Sequence, residues 1–231
     1  MGIKINDLYQ NQNDVLIDSF DDIILKMMQK RSNNKLKSLL LCGSEPEVGT
    51  TTITIYMAVS LAQGKNRTIL IDSDMRKNAR KKRLSETIPF GLSDYFESRA
   101  TLTEIINQTN IDKLDYISCG TPTTQSTKTL RLNNLETLIA DLDKDYDFIL
   151  FDSPSLGAVN DAAVLSILVD AILLIGELGK TTKSNINKML QTFSDSHNKI
   201  LGILINKVDQ PEYRTYIRNY DYFQKLRTKL I

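Results

Sequence analysis

Short apolar runs recur along the chain with polar segments between them. Each run has the length of a β-strand, is rich in Ile and Leu, and is mostly apolar without alternating polar positions. Such continuous runs are typical of strands that are buried on both faces of a parallel sheet. The predicted strands are Ser38–Cys42, Thr68–Asp72, Leu114–Cys119, Asp147–Asp152, Ala171–Ile175 and Leu201–Asn206.

Segments with helical spacing of apolar residues separate these runs. Because strands that alternate with helices form right-handed βαβ units, the order predicts an α/β fold with a doubly wound, mostly parallel sheet. An N-terminal helix is predicted over Val15–Gln29, and Pro211–Ile231 is expected to form a polar, tyrosine-rich tail. We therefore expect one domain over residues 1–210 and a tail over 211–231. The other predicted helices are Thr51–Gln63, Thr129–Leu142, Asp161–Leu168 and Lys183–Phe193.

Charge and composition indicate which classes of protein this sequence can belong to. The chain has 29 Lys and Arg residues against 28 Asp and Glu, so no overall field attracts nucleic acid or an anionic membrane. Cys42 and Cys119 lie in apolar runs and are predicted to be buried free thiols, which suits a reducing compartment. Without a signal-peptide core or an apolar run of membrane-spanning length, we expect a cytoplasmic protein. His197, the single histidine, is expected in an exposed loop, which leaves no histidine-based site.

A phosphate-binding loop is predicted after the first strand. A glycine-containing turn is followed at once by a hydroxyl-rich helix start, which is the context of the pattern G-x-x-x-x-G-K-[ST]. Ser44 takes the first position, Gly49 the second glycine and Thr51 the hydroxyl that binds Mg²⁺, whereas Thr50 stands in the lysine position. Taken alone, the segment also fits a helix that is simply capped by Thr50 or Thr51.

Acidic residues end two other predicted strands. Asp72 and Asp74 follow one apolar run at positions i and i+2, and Asp152 ends another. Buried carboxylates are costly unless they hold a cation or its waters. Since ligands bind at the carboxyl ends of strands in doubly wound sheets, the three acids and the loop predict a magnesium–nucleotide site of the P-loop NTPase type. The alternative is that these acids cap turns or helices.

The motifs around these acids resemble those of the bacterial tyrosine kinases of capsule and exopolysaccharide operons. The D-x-D-M-R-K motif of that family stands at residues 72–77, after three aliphatic residues. Its third motif is similar to residues 149–155 and to Asn160-Asp161-Ala162, and residues 91–93 and 201–207 also fit. The resemblance implies ATP and Mg²⁺ as cofactors and tyrosine phosphorylation as the reaction.

The resemblance also implies a role for each matching residue. Thr51 and Asp152 would hold Mg²⁺, with Asp72 binding it directly or through water, and Asp74 would be the base that accepts the tyrosine proton. The phosphoacceptors would lie in the tail and be presented to a neighbouring subunit, although the tail tyrosines could instead serve as aromatic packing. These acceptors are Tyr213, Tyr216, Tyr220 and Tyr222, and the other nucleotide-binding residues are Ser44, Val48, Gly49, Thr50, Thr52 and Asn206.

The loop departs from the family in charge. Thr50 cannot neutralise phosphate, and Glu45 and Glu47 add negative charge, with Glu47 where the family usually has glycine. Arg76, Lys180 or Lys183 could supply a replacement cation. The subunit-contact motif E-x-x-R-x-x-R is also reduced, because it aligns with Asp18, Asp21 and Ile24.

Three functions remain open at this stage. The leading hypothesis is a kinase-type subunit that regulates capsular or exopolysaccharide synthesis and export, with tyrosine autophosphorylation that is weak or lost. It would reach the membrane through an adaptor of the polysaccharide chain-length regulator type, and it could also associate with itself. The second is a catalytically inactive regulatory module, a pseudokinase. The third is a partitioning-type ATPase that binds DNA through the basic residues 76–83, which we otherwise interpret as a solvated surface segment.

Overall fold

A computed structural model of the chain describes residues 3–5, 20, 23–25, 29, 36–76, 88–123, 132–156 and 161–208. The strands are β1 (Ser38–Gly43), β2 (Thr68–Asp72), β3 (Ile106–Gln108), β4 (Leu114–Ile117), β5 (Phe148–Asp152), β6 (Ala171–Glu177) and β7 (Ile200–Asn206). The helices are α1 (Thr50–Gln63), α2 (Leu92–Phe96), α3 (Leu102–Ile105), α4 (Leu132–Leu142), α5 (Asp161–Leu168) and α6 (Lys183–Thr192), followed by a 3₁₀ helix over Ser194–Lys199.

The seven strands form one sheet in the order β3-β4-β2-β5-β1-β6-β7. All neighbouring strands are parallel except β3, which pairs antiparallel with β4 at one edge. Every residue of β1, β2 and β5 is buried, as continuous apolar runs require of strands covered on both faces. The α/β fold with a doubly wound, mostly parallel sheet is therefore confirmed.

Two hydrophobic cores lie on opposite faces of the sheet. The core on one face is built around α1, whose residues Met57, Val59 and Leu61 pack against alternate residues of the central strands. The core on the other face contains apolar residues of α4, α5 and α6, among them Leu138 and Leu165. Cys42 and Cys119 belong to this second core as buried free thiols, which confirms the prediction for both.

The structure adds short elements to the predicted set. The six predicted strands are confirmed to within two residues at each end, and so are α1, α5 and α6. The three-residue strand β3 and the short helices α2 and α3 were not predicted, because so few residues leave no periodic pattern. His197 is exposed as predicted but lies in the 3₁₀ helix rather than in a loop.

Some sequence predictions fall outside the described residues. In the segment predicted as the N-terminal helix, the described residues Phe20, 23–25 and Gln29 are helical. The tyrosine-rich tail lies outside, as do Asp18, Asp21 and residues 77–83 of the basic segment. Within the described part of the chain, no helix is long and apolar enough to cross a membrane.

Candidate functional site

The predicted site residues come together at the carboxyl ends of the central strands. The strand register pairs Asp152 of β5 with Asp72 of β2 on one side and with Leu41 of β1 on the other. Since register partners in a parallel sheet point to the same face, the side chains of Asp72 and Asp152 share the face that carries Leu41. That face is covered by α1, which packs on both β2 and β5.

Three carboxylates are buried in this corner. Asp72, Asp74 and Asp152 expose only 3%, 5% and 4% of their surface. The backbone N–H of Asp74 donates a hydrogen bond to Asp72 Oδ1 at 3.1 Å, which turns the chain back toward β2. Ser73 donates its N–H and its hydroxyl to the carbonyl oxygen of Asp152, at 2.9 Å and 2.7 Å. The two strand ends are thereby tied together, with Asp72 and Asp152 side by side.

These acids fit a magnesium–nucleotide complex better than a metal cage made of protein alone. Within the described residues, no three His, Cys, Asp or Glu side chains form a group that could hold a metal ion by themselves. Mg²⁺ is usually held through one or two carboxylates together with waters and substrate phosphates. Thr51 supplies a hydroxyl in the first turn of α1, the helix that covers the acid-bearing face.

Side chains bind three successive carbonyl oxygens of the loop between β1 and α1. The carbonyl oxygens of Pro46, Glu47 and Val48 accept hydrogen bonds from Lys180 Nζ, Lys207 Nζ and Asn206 Nδ2, at 3.4 Å, 2.9 Å and 2.8 Å. Because C=O and N–H point in opposite directions across a trans peptide, the N–H groups of residues 47 to 49 face away from these donors. Successive N–H groups on one side, next to a helix N-terminus, form an anion-binding concavity.

Two glycines allow this loop to close. Gly49 precedes α1 in the left-handed region at φ 95°, and a Cβ there would collide with Asn206 Nδ2. A Cβ on Gly43 would collide with Thr50 Oγ1 and would lie 2.8 Å from Val48 Cγ2. The Thr50 hydroxyl is thus directed back toward the end of β1. The loop therefore packs tightly against the end of β1 and against Asn206, with Thr50 in the lysine position of the phosphate-loop pattern.

The two glutamates of the loop behave differently. Glu45 is turned toward α6, where its Oε1 accepts a hydrogen bond from Asn185 Nδ2 at 3.1 Å. Glu47 adopts a left-handed backbone at φ 68°, which strains a residue with a Cβ. Glycine is free of this strain, so Glu47 is costly through its backbone as well as through its charge.

The suggested replacement cations differ in position. Lys180 binds the carbonyl side of the loop and also lies 3.6 Å from Glu177, so it sits opposite the N–H groups. The Nε of Arg76 lies 4.0 Å from the carboxylate of the buried Asp161. Lys183 begins α6 as an exposed residue.

Residues that the sequence analysis missed hold the site from outside. Lys207 directly follows β7, and this position at a strand end could have drawn notice. Thr181 binds Ser44 through their hydroxyl groups at 2.9 Å, and no pattern in the sequence indicates that contact. Tyr116 of β4 is buried near Asp72, and burial together with the Asp72 charge raises the pKa of Tyr116 well above its ordinary value. The Tyr116 hydroxyl therefore stays protonated beside this acid.

Known proteins are similar to this chain in sequence and in fold. Residues 44–206 match the AAA domain family. Tyrosine-protein kinase CpsD of Streptococcus pneumoniae is 32% identical over 182 residues, which cover 77% of this chain and 79% of that protein. The crystal structure of the chimerical protein CapA2B2 has a TM-score of 0.77 and 23% identity, covering 84% of this chain and 85% of the other. The cell division ATPase MinD of Pyrococcus furiosus has a TM-score of 0.63 and 19% identity, covering 75% and 74%.

Proposed function

Since the chain belongs to the bacterial tyrosine-protein kinase family related to capsule synthesis, we propose that it is a kinase-type subunit that regulates the synthesis and export of a capsular or extracellular polysaccharide. Its reaction is the Mg²⁺-dependent transfer of the ATP γ-phosphoryl group to tyrosines of its own tail, at a rate that Thr50 keeps low. The observation that supports this proposal most is the placement of Asp72 and Asp152 as register partners on the face covered by α1.

The proposed metal ligands are Thr51 and Asp152, with Asp72 binding directly or through water. These residues would hold the Mg²⁺, whose positive charge would offset the negative charge of the phosphates. Burial of both carboxylates supports this role, because adjacent buried acids are favoured by a cation between them. The Ser73 bonds to the Asp152 carbonyl keep the two acids from separating.

The proposed phosphate contacts are backbone groups of the loop. The N–H groups of Val48 and Gly49, with those that begin α1 at Thr50, Thr51 and Thr52, would bind the phosphate oxygens. The hydroxyl of Ser44 and the side chain of Asn206 would support the loop beside the nucleotide. This assignment rests on the outward direction of the loop carbonyls.

Asp74 is the proposed base. It follows the two strand-end acids, is buried, and is held by its N–H bond to Asp72. It would accept the proton of an incoming tyrosine hydroxyl as the phosphoryl group is transferred. The proposed acceptors Tyr213, Tyr216, Tyr220 and Tyr222 lie outside the described residues.

The missing lysine sets the expected rate. A cation that stabilises the transferring phosphoryl group contributes on the order of a thousandfold in rate. Thr50 supplies no charge, so we propose weak autophosphorylation rather than the full rate of a lysine-bearing kinase. An adaptor of the chain-length regulator type would bring the chain to the membrane and complete or activate the site.

Phosphotyrosine formation tests this function. The purified chain is incubated with MgATP, with and without the cytoplasmic segment of such an adaptor, and probed for phosphotyrosine by blotting and mass spectrometry. We expect a slow signal on the tail that Asp74→Ala abolishes. If no phosphotyrosine forms under any condition although MgATP binds, the kinase proposal is wrong.

A regulatory module without chemistry is the second candidate. It is favoured by the uncharged Thr50 together with the left-handed Glu47, both in the loop that would contact phosphate. Such a module would bind the adaptor and never form phosphotyrosine, so the same experiment separates the two candidates. The likeness to MinD concerns the fold alone and carries no support for DNA partitioning.

A further inference from the structure

Side chains from β6, its following turn and the end of β7 grip the phosphate loop from its carbonyl side. Four of them form what we call the outer clamp: Glu177, Lys180, Asn206 and Lys207. The three donors of the clamp each bind a different one of three consecutive loop carbonyls, at 2.8–3.4 Å. The clamp therefore fixes the orientation of three successive peptide groups.

Glu177 connects the two lysines of the clamp. Its Oε2 lies 3.0 Å from Lys207 Nζ and 3.6 Å from Lys180 Nζ. The Glu177 side chain is more buried than the side chain of either lysine. The hydrogen bond from Lys207 lowers the pKa of Glu177 below its usual value. Lys207 is thus held at two points, by the Glu177 carboxylate and by the Glu47 carbonyl.

The carbonyl that Lys207 binds belongs to the strained residue of the loop. Glu47 is held at φ 68°, a conformation that a residue with a Cβ leaves readily when nothing retains it. A rotation of the peptide after Glu47 would turn the Val48 N–H out of the anion-binding row. A charge-assisted hydrogen bond on this carbonyl opposes that rotation.

We propose that Lys207 is a positioning residue of the phosphate loop, which with Glu177 holds the N–H groups of residues 47 to 49 toward the phosphates from outside. The loop is thereby preformed without a lysine of its own. The effect on nucleotide binding rests on the proposed function, whereas the effect on loop order does not.

Backbone order in the ligand-free protein tests the proposal directly. The ¹⁵N order parameters of Val48 and Gly49 are expected near the rigid value of about 0.85 and to fall below about 0.6 in Lys207→Met. Lys207→Arg, which keeps the charge and the donors, should restore them. Lys144→Met is the matched control. Lys144 forms a comparable surface ion pair, in which its Nζ lies 2.7 Å from Asp141 Oδ1, and this pair is remote from the loop. Unchanged order parameters in Lys207→Met would overturn the proposal.

Nucleotide affinity supplies a second test, with MgADP as the probe. Lys207→Met should weaken binding about tenfold, while Lys144→Met should leave it unchanged. In a Glu47→Gly background the same substitution should weaken binding less, because glycine adopts φ 68° without strain and needs less external support. An equal loss in both backgrounds would contradict the positioning role.

The outcomes separate this inference from the proposed function. If the wild-type chain binds no MgADP but Lys207→Met loosens the loop, the proposed function fails and the clamp stands. If the wild-type chain binds MgADP and Lys207→Met changes neither loop order nor affinity, the clamp fails and the proposed function stands.

Discussion

The phosphate loop and the acidic strand ends lie next to each other, yet they depart from the family pattern to different degrees. At the strand ends, Asp72, Asp74 and Asp152 occupy the motif positions and are buried together. In the loop, Gly49 keeps the left-handed backbone before α1, whereas Thr50 removes the positive charge of the lysine position and Glu47 adds a negative charge and backbone strain. The proposed metal side of the site therefore keeps its motif residues, whereas the proposed phosphate side keeps its glycine at position 49 but not its lysine.

In the loop, the backbone shape and the positive charge of the lysine position have different origins, so one can be kept while the other is lost. The loop carbonyls bind side chains of β6 and β7, so the shape of the loop depends on tertiary contacts and survives without a lysine. The missing charge has no such substitute at Lys180, which binds the carbonyl side. We infer that charge, more than shape, limits this site.

Restoring the lysine should have the largest effect. Thr50→Lys is expected to raise the rate of tail phosphorylation by about a thousandfold, because the added cation stabilises the transferring phosphoryl group. The measurement is initial phosphotyrosine formation with MgATP. Thr50→Met, which adds length without charge, is the matched control and should stay at the wild-type rate. Equal rates in both variants would show that charge is not the defect.

Removing a metal ligand should have the next largest effect. In the Thr50→Lys background, Asp152→Asn is expected to lower the phosphorylation rate by about a hundredfold, because one anionic ligand of Mg²⁺ is lost. The apparent Mg²⁺ affinity, read from the rate as Mg²⁺ is titrated, should fall as well. Asp141→Asn, at an exposed carboxylate on α4, should change neither quantity. A wild-type Mg²⁺ dependence in Asp152→Asn would remove this residue from the site.

The central elements could be predicted from the sequence because burial on both faces makes strands read as continuous apolar runs. β1, β2 and β5 are such strands, and the ends of β2 and β5 bring Asp72 and Asp152 together as register partners. The edge strand β3 escaped prediction because pairing with β4 creates it from three residues of mixed polarity. The structure of the tail remains a prediction.

Glycine at position 47 should relieve the loop of both its strain and one charge. Glu47→Gly is expected to tighten MgADP binding by about tenfold, since a left-handed residue with a Cβ costs roughly 1–2 kcal/mol. Ser98→Gly is the matched control, because Ser98 is exposed, has φ 58° and lies away from the loop. Both variants should be more stable to heat, and only Glu47→Gly should bind MgADP more tightly. If neither variant bound MgADP more tightly, the strain at Glu47 would not limit nucleotide binding.

A buried acid outside the site should act on stability alone. Asp94 accepts hydrogen bonds from Gly91 and Thr121 and lies 2.8 Å from Arg99. Burial raises its pKa, but the hydrogen bonds from Thr121 and Gly91 and the charge of Arg99 outweigh burial and lower the pKa below its ordinary value.

The lowered pKa fixes the sign of the pH effect. The stabilisation by Asp94 is fully present above the ordinary aspartate pKa, near 4, and is lost as pH falls through the lower folded-state pKa. Asp94→Asn should lower the free energy of unfolding at pH 7 by about 1 kcal/mol and flatten its decline below pH 4. Chemical unfolding across pH measures this, and an unchanged slope in the variant would contradict it.

The contacts of the outer clamp could not be predicted, because they join distant parts of the chain, although Asn206 was itself a predicted site residue. Lys207 binds the carbonyl of Glu47 across 160 residues, and the bond involves backbone that any residue type carries. The ends of predicted strands show which side chains lie at the carboxyl edge of the sheet. Side chains that bind the carbonyl oxygens of a loop have no regular spacing in the sequence. The acids of this site were therefore predictable and its clamp was not.

Binding of MgATP to the wild-type chain and to Thr50→Lys, measured side by side by isothermal titration calorimetry, tests the central claim most directly. The account predicts weak MgATP binding by the wild-type chain and tighter binding by Thr50→Lys. When Asp152→Asn is added to Thr50→Lys, the gain in affinity should no longer depend on Mg²⁺. Absence of binding by Thr50→Lys at millimolar MgATP would contradict the account, because the loop and the acids would then not form a nucleotide site at all.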